Sequence, residues 1–322
     1  MDDVAAALAP GTALWTLASR RGNEVICAGV AQALGIQARV IRLSPHRFFE
    51  RLAPWGPVDP ADRPGPPFPD IALASGRAAV PYLRDLKRRS PGTFAVFLQD
   101  PRAFRSRFDL IWAPAHDRLF ASNVFSTLTS PHTCSPARLA GARAAPPAAI
   151  AALASPRIAL IVGGDSRHHR FTPQDFVAVA AAAEGALAEG WSVMATTSRR
   201  TPPDLAERLA AILSQAPAGR GYLWDGTGDN PYLPLLACAD AILVTGDSAN
   251  MVGEAVATGA PVHVYEPSGG SAKLTAHLEG LIAAGAARRW RGAIESWRPA
   301  PIDSTPAIAA EIVRRYAVFR AR

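Results

Sequence analysis

Two successive series of short apolar runs, separated by helical patterns, constrain the fold of this chain more than any other feature. Short, largely apolar runs of this kind are typical of parallel strands buried on both faces. The first series lies at residues 12–18, 38–43, 70–74, 93–98, 108–112 and 123–127. The second series lies at residues 157–162, 191–197, 221–224, 240–246 and 261–265. The pattern predicts an α/β fold with two doubly wound, Rossmann-type domains.

The domain boundaries are predicted from composition. Residues 142–156 are rich in alanine and proline and precede the second series, so we interpret them as the linker region. We expect an N-terminal domain at 1–150, a C-terminal domain at 151–302, and a helix at 303–322 that crosses back onto the first domain. A second proline- and glycine-rich stretch, residues 53–70, is interpreted as a surface excursion because the strand pattern resumes directly after it.

The net charge and the cysteine content limit which binding partners and which cellular compartment are expected for this protein. A formal net charge of +7 favours phosphate-bearing partners, but the arginines are scattered rather than clustered, so we expect no nucleic acid. Three separated cysteines without a C-x-x-C pair fit a reducing compartment and give no zinc site; no other metal set is convincing. The chain begins without a basic signal region and holds no apolar run near the ~20 residues of a membrane helix. We expect a cytoplasmic protein, with peripheral contact at the inner membrane face at most.

The stretch "VTGDSANMVGEAVATGAPVHVYEP" begins inside the fourth apolar run of the second series. The chain must turn at Gly246, Asp247 or Ser248 can cap the next helix, and that helix is expected to reach about Thr258 before the left-handed Gly259. Helix N-termini that follow strands are anion sites, so this turn is predicted to hold a phosphate.

Glu254 lies about two turns into that helix, on the stripe of Met251 and Thr258, where a carboxylate can accept both hydroxyls of a ribose. The alternative is a capped helix with a solvated glutamate. The helix cap, the glutamate and the Gly-x-Pro sequence after the helix occur together, which favours a nucleotide site. We call the nucleotide-bearing substrate of this site the donor. The residues predicted to bind it here are Thr245, Gly246, Asp247, Ser248, Met251 and Glu254.

Two more strand ends of the second series carry candidate phosphate contacts. "GGDSR" follows the first strand, where two glycines allow close backbone approach, and "SRR" follows the second strand as an anion clamp. A tight turn and two surface arginines are the simpler alternatives. Thr172 and Thr201 are the predicted N-caps of the helices that follow. The predicted donor contacts are Gly163, Gly164, Ser166, Arg167, Ser198, Arg199 and Arg200.

Residues at the strand ends of the first series are the candidates for binding a second substrate, the acceptor. Glu24 lies near the first helix start and is the candidate general base, facing a cleft between the domains. The alternative is an ordinary acid favoured by the helix dipole. Asp117 is the reserve catalytic residue, although a loop-stabilising bond with its neighbour is the commoner arrangement. The other predicted acceptor-side residues are Gly22, Asn23, Gly76, Arg77, Gln99, Asp100 and His116.

Several motifs together resemble a known family. "GNE…GVAQALG", "ASGR", "QDPR…FDLIWAPAHD…NVFST", "GGDSRHHRFT", "TSRRTP" and "GDSANMVGEAVATGAPV" occur in the order and spacing of the mitochondrial-fission "elongated mitochondria" family, in its bacterial branch. The resemblance implies a GT-B-like architecture, with two Rossmann-type domains facing across a cleft. It also implies kinship with nucleotide-sugar glycosyltransferases, whose matching Gly…Glu…Gly-x-Pro element binds the donor nucleotide, so that Glu254 would take the ribose.

Two positions depart from the family pattern. Glu24 is followed by Val25 and Ile26 where the family usually has Asn-Gln, which suggests a different acceptor. Asp165 stands where the Gly-Gly turn commonly continues with proline, and an acid is awkward beside a diphosphate.

The expected function is a metal-independent glycosyltransferase. It would transfer a sugar from a nucleotide-sugar donor to an envelope saccharide or lipid acceptor, with no cofactor beyond the donor. Arginines and helix N-termini would stabilise the leaving nucleotide diphosphate in place of a metal. Two alternatives stay open: a non-catalytic binding or scaffold protein that kept the cleft, and a nucleotide-sugar epimerase or hydrolase on the same fold.

Overall fold

The computed structural model describes residues 8–322. The chain forms two compact units, one comprising the chain up to Thr133 together with Ser304–Arg322, and the other Cys134–Asp303. Each unit contains a six-stranded sheet in which every recorded strand pair is parallel. The predicted α/β class, with one parallel sheet for each series, is therefore confirmed.

All eleven predicted apolar runs form strands, and a twelfth strand joins the second sheet. The strands of the first unit are β1 (Leu14–Ala18), β2 (Arg39–Arg42), β3 (Ile71–Ser75), β4 (Phe94–Leu98), β5 (Leu110–Pro114) and β6 (Val124–Thr127). Those of the second unit are β7 (Arg157–Val162), β8 (Ser192–Thr197), β9 (Gly221–Trp224), β10 (Ala241–Thr245), β11 (Val262–Tyr265) and β12 (Ala287–Arg289). The strand order is β2-β1-β3-β4-β5-β6 in the first sheet and β12-β11-β10-β7-β8-β9 in the second.

The helices follow the strands, as parallel connections require. In chain order they are α1 (Arg21–Ala33), α2 (Arg47–Leu52), α3 (Ala79–Arg89), α4 (Pro136–Ala144), α5 (Ala148–Ala151), α6 (Pro173–Ala188), α7 (Pro203–Ser214), α8 (Tyr232–Ala237), α9 (Ala249–Val256), α10 (Ala272–Ala283) and α11 (Thr305–Arg320). Short 3₁₀ turns lie at Pro60–Asp62, Arg105–Arg107 and Ala115–Asp117.

Both sheets are buried because helices cover their apolar faces. In the first unit, α1 and α11 cover one face and α3 covers the other, around Trp112 and Phe97 respectively. In the second unit, α6 and α7 pack apolar side chains against β7, β8 and β10. The strands between these layers are almost wholly buried, which explains why they appear in the sequence as continuous apolar runs.

The unit boundary lies after Thr133, so the predicted boundary at residue 150 falls inside the second unit. The reason is that α4 packs against α8, and Arg143 Nε donates to the Ala237 carbonyl at 2.7 Å. Most of the predicted linker, 142–156, is therefore part of a folded unit. At the other end, α11 lies in the first unit, where Tyr316 packs edge-on against Phe94.

One of the two predicted threonine caps is present. Thr172 caps α6 in a capping box, in which its side chain and that of Asp175 each accept a backbone N–H of the other. The prediction for Thr201 is wrong, since α7 begins after Pro202 without a side-chain cap. The Thr201 hydroxyl is instead turned toward the preceding loop, where it donates to the Gly163 carbonyl and accepts from the amide of Ser198.

Candidate functional site

The second sheet has a topological switch point between β7 and β10. From β7 the chain continues to β8 and β9 on one side, while β10, β11 and β12 build the other side. In open α/β sheets, ligands bind outside the carboxyl ends of the strands at such a point. The loops after β7 and β10 therefore lie where the fold itself predicts a site.

Asp247 joins these two loops. Its side chain is fully buried and accepts hydrogen bonds from Thr245 Oγ1 at 2.7 Å, from the Gly164 amide at 3.1 Å and from Arg200 Nη2 at 2.9 Å. The Thr245 hydroxyl in turn accepts from the Gly163 amide at 2.8 Å. Asp247 is thus the centre of an internal network, and Ser248 rather than Asp247 caps α9.

The two glycines after β7 are required by packing within the chain. A Cβ on Gly163 would lie 2.1 Å from Asp247 Oδ1, and one on Gly164 would lie 2.1 Å from the Arg200 carbonyl. Both amides are already bonded to side chains, that of Gly163 to the last residue of β10 and that of Gly164 to Asp247 in the loop after it. The close approach predicted for a diphosphate is therefore made here by the loops themselves.

The adjacent arginines differ in their surroundings. Arg200 donates through Nη1 to the carbonyls of Gly164 and Asp165, both at 2.8 Å, in addition to its bond with Asp247. Arg199 is exposed and makes no hydrogen bond or ion pair with any other residue that the structure describes. Ser198 accepts the Arg200 amide at 3.1 Å and so closes the turn before α7. Of the predicted clamp, Arg199 is the cation that remains available to an anion.

The remainder of the loop after β7 is held by short-range bonds. Ser166 Oγ accepts the amides of His168 and His169, both at 3.1 Å, while Arg167 Nε donates to His168 Nε2 at 2.7 Å. Asp165 accepts from the amide of Phe171, which lowers its carboxyl pKa. The acid that stands in place of proline therefore has a structural role in this loop.

The helix α9 begins directly at the switch point. Ser248 Oγ accepts the Met251 amide at 3.5 Å, and the helix ends at Val256, two residues before the predicted Thr258. Gly259 has the predicted positive φ, +76°. The free N–H groups of the first turn, with the helix dipole, favour a negative group at this end.

Glu254 lies near the second turn of α9 and is paired with Tyr232. The Tyr232 hydroxyl donates to Glu254 Oε2 at 2.8 Å. Burial raises the pKa of Glu254 to about 7, and the hydrogen bond from Tyr232 opposes that shift. The same burial and the nearby carboxylate raise the pKa of Tyr232. Near neutral pH, Glu254 therefore changes between an acid and a carboxylate.

A third loop, which was not predicted from the sequence, lies at this edge. The turn Ser268–Ser271 follows β11, and its Ser271 side chain caps α10 by accepting the Leu274 amide at 3.3 Å. The Gly270 amide donates to the His168 carbonyl at 2.7 Å, which ties this turn to the loop after β7. The signal was present, since "SGGSAK" places two glycines and a capping serine after an apolar run.

A small cavity of about 50 Å³ lies between this turn and the start of α9. It is lined by Gly246, Ala249, Ser271 and His169, among others. His169 is 5% exposed, and its Nδ1 has no hydrogen-bond partner among the described residues. Burial lowers the pKa of His169, so the ring is neutral and able to donate or accept. The cavity has space for a water-sized polar group.

The first sheet has its switch point between β1 and β3, where part of the predicted acceptor side gathers. Gly76, at φ +91°, leaves room for Asn23, whose Nδ2 would lie 2.1 Å from a Cβ at that position. Glu24 Oε1 is 3.3 Å from Arg42 Nε. Arg77 is engaged elsewhere, donating to the carbonyls of Glu50 and Ala53. Gly22 lies one residue before Asn23 in the first turn of α1.

The other acceptor-side candidates follow more distant strands. Gln99 and Asp100 follow β4, and Asp100 is bound by Arg105 through both Nε and Nη2. His116 and Asp117 lie in the 3₁₀ turn after β5. With three strand spacings between β1 and β5, this turn is about 14 Å from the end of β1. The structure therefore does not bring Asp117 to Glu24.

The described residues contain neither a metal-binding cluster nor a membrane-spanning helix. Within residues 8–322, no group of three or more His, Cys, Asp or Glu side chains is arranged to hold a metal ion. Over the same residues, no helix combines the length and the apolarity that crossing a membrane demands.

Two parallel, doubly wound sheets with polar loops at their switch points define a GT-B-like α/β protein. The model of the family described as "Mitochondrial fission ELM1" matches residues 21–316, so the chain belongs to that family, and the predicted resemblance is confirmed at the level of the family. A curated relative, the mitochondrial fission protein ELM1 of Arabidopsis thaliana, is 28% identical over 276 residues. The match covers 77% of this chain and 64% of the relative, so the chain spans less than two thirds of that protein's length.

Solved structures share the fold across nearly the whole chain. The UDP-GlcNAc 2-epimerase from Methanocaldococcus jannaschii has a TM-score of 0.55 at 12% identity, covering 95% of this chain and 99% of its own. S. aureus MnaA, solved with UDP, has a TM-score of 0.53 at 12% identity, covering 95% of this chain and 88% of its own. At such identities the likeness concerns the fold alone.

Proposed function

We propose that the second unit binds a nucleotide sugar and that the protein is a metal-independent glycosyltransferase. The observation that carries the proposal is the start of α9 at the switch point, with Ser248 as its cap and Glu254 further along the same helix. In this arrangement the free N–H groups of the helix start would bind a phosphate, and the Glu254 carboxylate would accept the hydroxyls of a ribose. The fold neighbours that were solved with UDP or UDP-GlcNAc are consistent with it.

The chemistry assigned to this site is stabilisation of the leaving nucleotide diphosphate. Negative charge develops on that group as the glycosidic bond to the donor breaks, and fixed dipoles and cations lower the energy of such a transition state. Arg199 is a cation with no hydrogen-bond or ion-pair partner among the described residues, and α9 and α10 both begin at this edge of the sheet. These groups would stabilise the negative charge on the leaving diphosphate, as a metal ion does in other transferases.

The acceptor is assigned to the first unit, with Glu24 as the base that takes the proton of the incoming hydroxyl. Glu24 stands at the switch point of the first sheet, whereas Asp117 lies on a more distant strand end. The acceptor would be a saccharide or lipid-linked sugar, met in the cytoplasm at the inner membrane face. Replacing Glu24 by Gln should abolish transfer and leave nucleotide affinity unchanged; full turnover of Glu24→Gln would remove Glu24 from the role of base.

A non-catalytic binding protein is the second candidate. The observation in its favour is that side chains of the protein already occupy both glycine amides at the switch point. The Gly163 amide donates to Thr245, and the Gly164 amide donates to Asp247, which also accepts from Arg200. Such a protein would bind a nucleotide without turnover, or would bind none.

The first experiment is a thermal-shift panel with UDP, GDP, ADP, CMP and TDP. A ligand at a hundredfold excess over its Kd stabilises the protein by about 2.7 kcal/mol, which is a readable shift. Glu254→Ala should abolish the shift, while Glu207→Ala, an exposed glutamate on α7, should leave it intact. No shift with any nucleotide in the folded protein would reject the donor site.

Turnover separates the enzyme classes once a nucleotide is known. Release of the nucleotide from its sugar only when an acceptor is added supports the transferase. Consumption or epimerisation of the donor without an acceptor would instead assign an epimerase or hydrolase.

A further inference from the structure

The first unit exposes a cluster of large apolar side chains around α2. Phe48 is 59% exposed, Leu52 is 40% exposed and Trp55 is 66% exposed. Phe48 and Leu52 are four residues apart and therefore share a face of the helix. The amides of Trp55 and Gly56 both donate to the Leu52 carbonyl, so the chain turns immediately after α2 and the exposed Trp55 lies within this turn. Exposed apolar clusters of this kind mark interaction sites.

The cluster is held firmly rather than displayed on a loose loop. Arg77 donates to the carbonyls of Glu50 and Ala53 at 3.0 and 2.8 Å. Arg84 of α3 donates to the carbonyls of Trp55 and Gly56 at 3.3 and 2.6 Å. Arg77, in the turn before α3, and Arg84 of α3 thus hold the backbone of the exposed segment at Glu50, Ala53, Trp55 and Gly56, and the apolar side chains are pre-organised for a partner.

A row of positive charge runs beside the apolar row. Arg47 and Arg51 are exposed, are four residues apart, and form no ion pair with any residue that the structure describes. The one acid of α2, Glu50, lies 3.8 Å from Arg20. The helix therefore carries a cationic row next to an apolar row that includes aromatic rings. That combination is typical of surfaces that lie on anionic membranes.

A basic cavity of about 690 Å³ adjoins the cluster through Pro57 and Val58. Arg84 lies over the ring of Phe104 at 4.2 Å, and Lys87, Arg88 and Arg107 also line the cavity. Asp85 is the acid of the cavity wall, and it is bound by Arg63, Arg88 and Arg89. The net charge of the lining is positive, so the cavity is complementary to an anionic group.

We propose that these two features form one docking surface for a membrane that contains anionic lipids. Phe48, Leu52 and Trp55 enter the interfacial region, Arg47 and Arg51 meet the negative surface, and the cavity takes a phosphate-bearing lipid headgroup. Every residue of this surface belongs to the first unit, whereas the nucleotide site is assigned to the second.

The test is co-sedimentation of the full chain, without nucleotide, with phosphatidylcholine vesicles that contain or lack phosphatidylglycerol. The wild type should bind the anionic vesicles, bind the neutral ones at least tenfold more weakly, and lose affinity as salt rises. The triple variant Phe48→Ser, Leu52→Ser, Trp55→Ser and the double variant Arg47→Glu, Arg51→Glu should each bind anionic vesicles at least tenfold more weakly. Arg107→Glu should also weaken binding to anionic vesicles, because it places a negative charge in the lining of the cavity.

Matched controls are available in the second unit. Val177 and Arg208 are exposed there, so Val177→Ser and Arg208→Glu change the same properties elsewhere and should bind as the wild type does. Circular dichroism should show all variants folded, because every replaced side chain is exposed. The proposal would be overturned if the control variants lost as much vesicle binding as the surface variants, or if the wild type bound no vesicles. It would also be overturned if the wild type bound only an acidic polypeptide such as polyglutamate.

Discussion

Arg200 Nη2 lies 2.9 Å from Asp247 Oδ2, and this pair joins the loops after β8 and β10 across the switch point of the second sheet. The Asp247 carboxylate is fully buried, whereas the Arg200 side chain is 43% exposed. Two residues that the sequence assigned to ligand binding are thus bonded to each other. Some residues of the predicted site, such as this pair, therefore stabilise the loops at the sheet edge, and others remain available to a ligand.

Asp247→Ala should destabilise the protein by about 3 kcal/mol or more. The replacement leaves the buried Thr245 hydroxyl and Gly164 amide without their acceptor and the Arg200 guanidinium without its counter-charge. Urea denaturation of the variant and the wild type gives the difference. Asp204→Ala, at the exposed start of α7, is the control and should change stability by less than about 0.5 kcal/mol. Equal stability of Asp247→Ala and wild type would mean that the network contributes nothing.

The two adjacent arginines should separate binding from stability. Arg199→Ala should weaken the affinity for a nucleoside diphosphate by about tenfold or more, since a hydrogen bond to a charged group contributes roughly 1.5–3 kcal/mol. It should leave the Tm unchanged, because Arg199 is exposed and makes no hydrogen bond or ion pair with another described residue. Arg200→Ala should lower the Tm through the loss of its bonds to Asp247, Gly164 and Asp165.

Calorimetry with the nucleoside in place of the nucleotide is the control for this pair. The affinity for the nucleoside should not respond to Arg199→Ala, because the lost contact is to phosphate. If Arg199→Ala weakens nucleoside and nucleotide equally, Arg199 is not a phosphate contact.

Gly164→Ala should cost at least about 2 kcal/mol of folding free energy. The new methyl group would lie 2.1 Å from the Arg200 carbonyl, and a backbone atom cannot move aside as a flexible side chain does. Gly185→Ala is the matched control, because that glycine lies in α6 with open space around its Cβ position. It should stabilise the protein by about 0.5–1 kcal/mol. Thermal denaturation of both variants tests the pair, and a neutral Gly164→Ala would contradict the packing described here.

The strands were predictable because parallel sheets buried on both faces leave continuous apolar runs. The strand β12 was missed since its sequence, Ala-Arg-Arg, carries no such run and lies at the sheet edge. The unit boundary was misplaced for a related reason. Alanine-rich residues near 142–156 resemble a linker in composition, and only tertiary packing shows that α4 belongs to the second unit.

The candidate site was predictable in position but not in detail. Strand ends and capped helices locate the switch-point loops, as Ser248 and Thr172 illustrate. The partner of a polar side chain is not local information, since Arg200 and Asp247 are 47 positions apart. For the same reason the sequence does not reveal that Tyr232 donates to Glu254.

Glu254 makes stability depend on pH. Its pKa is raised to about 7 in the folded protein, so the folded state holds this proton more tightly than the unfolded chain does. The resulting stabilisation is fully present below about pH 4.5 and is lost as the pH rises through about 7, a change of up to about 3 kcal/mol. Glu254→Gln should remove this part of the pH dependence, measured by urea denaturation at several pH values between 5 and 8.

Nucleotide binding should depend on pH in the opposite direction. A carboxylate that accepts two ribose hydroxyls must be deprotonated, so the affinity should rise with pH and level off above about 7, with nearly a tenfold loss for each unit below that value. Tyr232→Phe removes a hydrogen bond that favours the charged form, so it should move the transition to higher pH. Glu254→Gln should bind weakly at every pH. A wild-type affinity that is flat between pH 6 and 8 would show that Glu254 does not bind the ribose as a carboxylate.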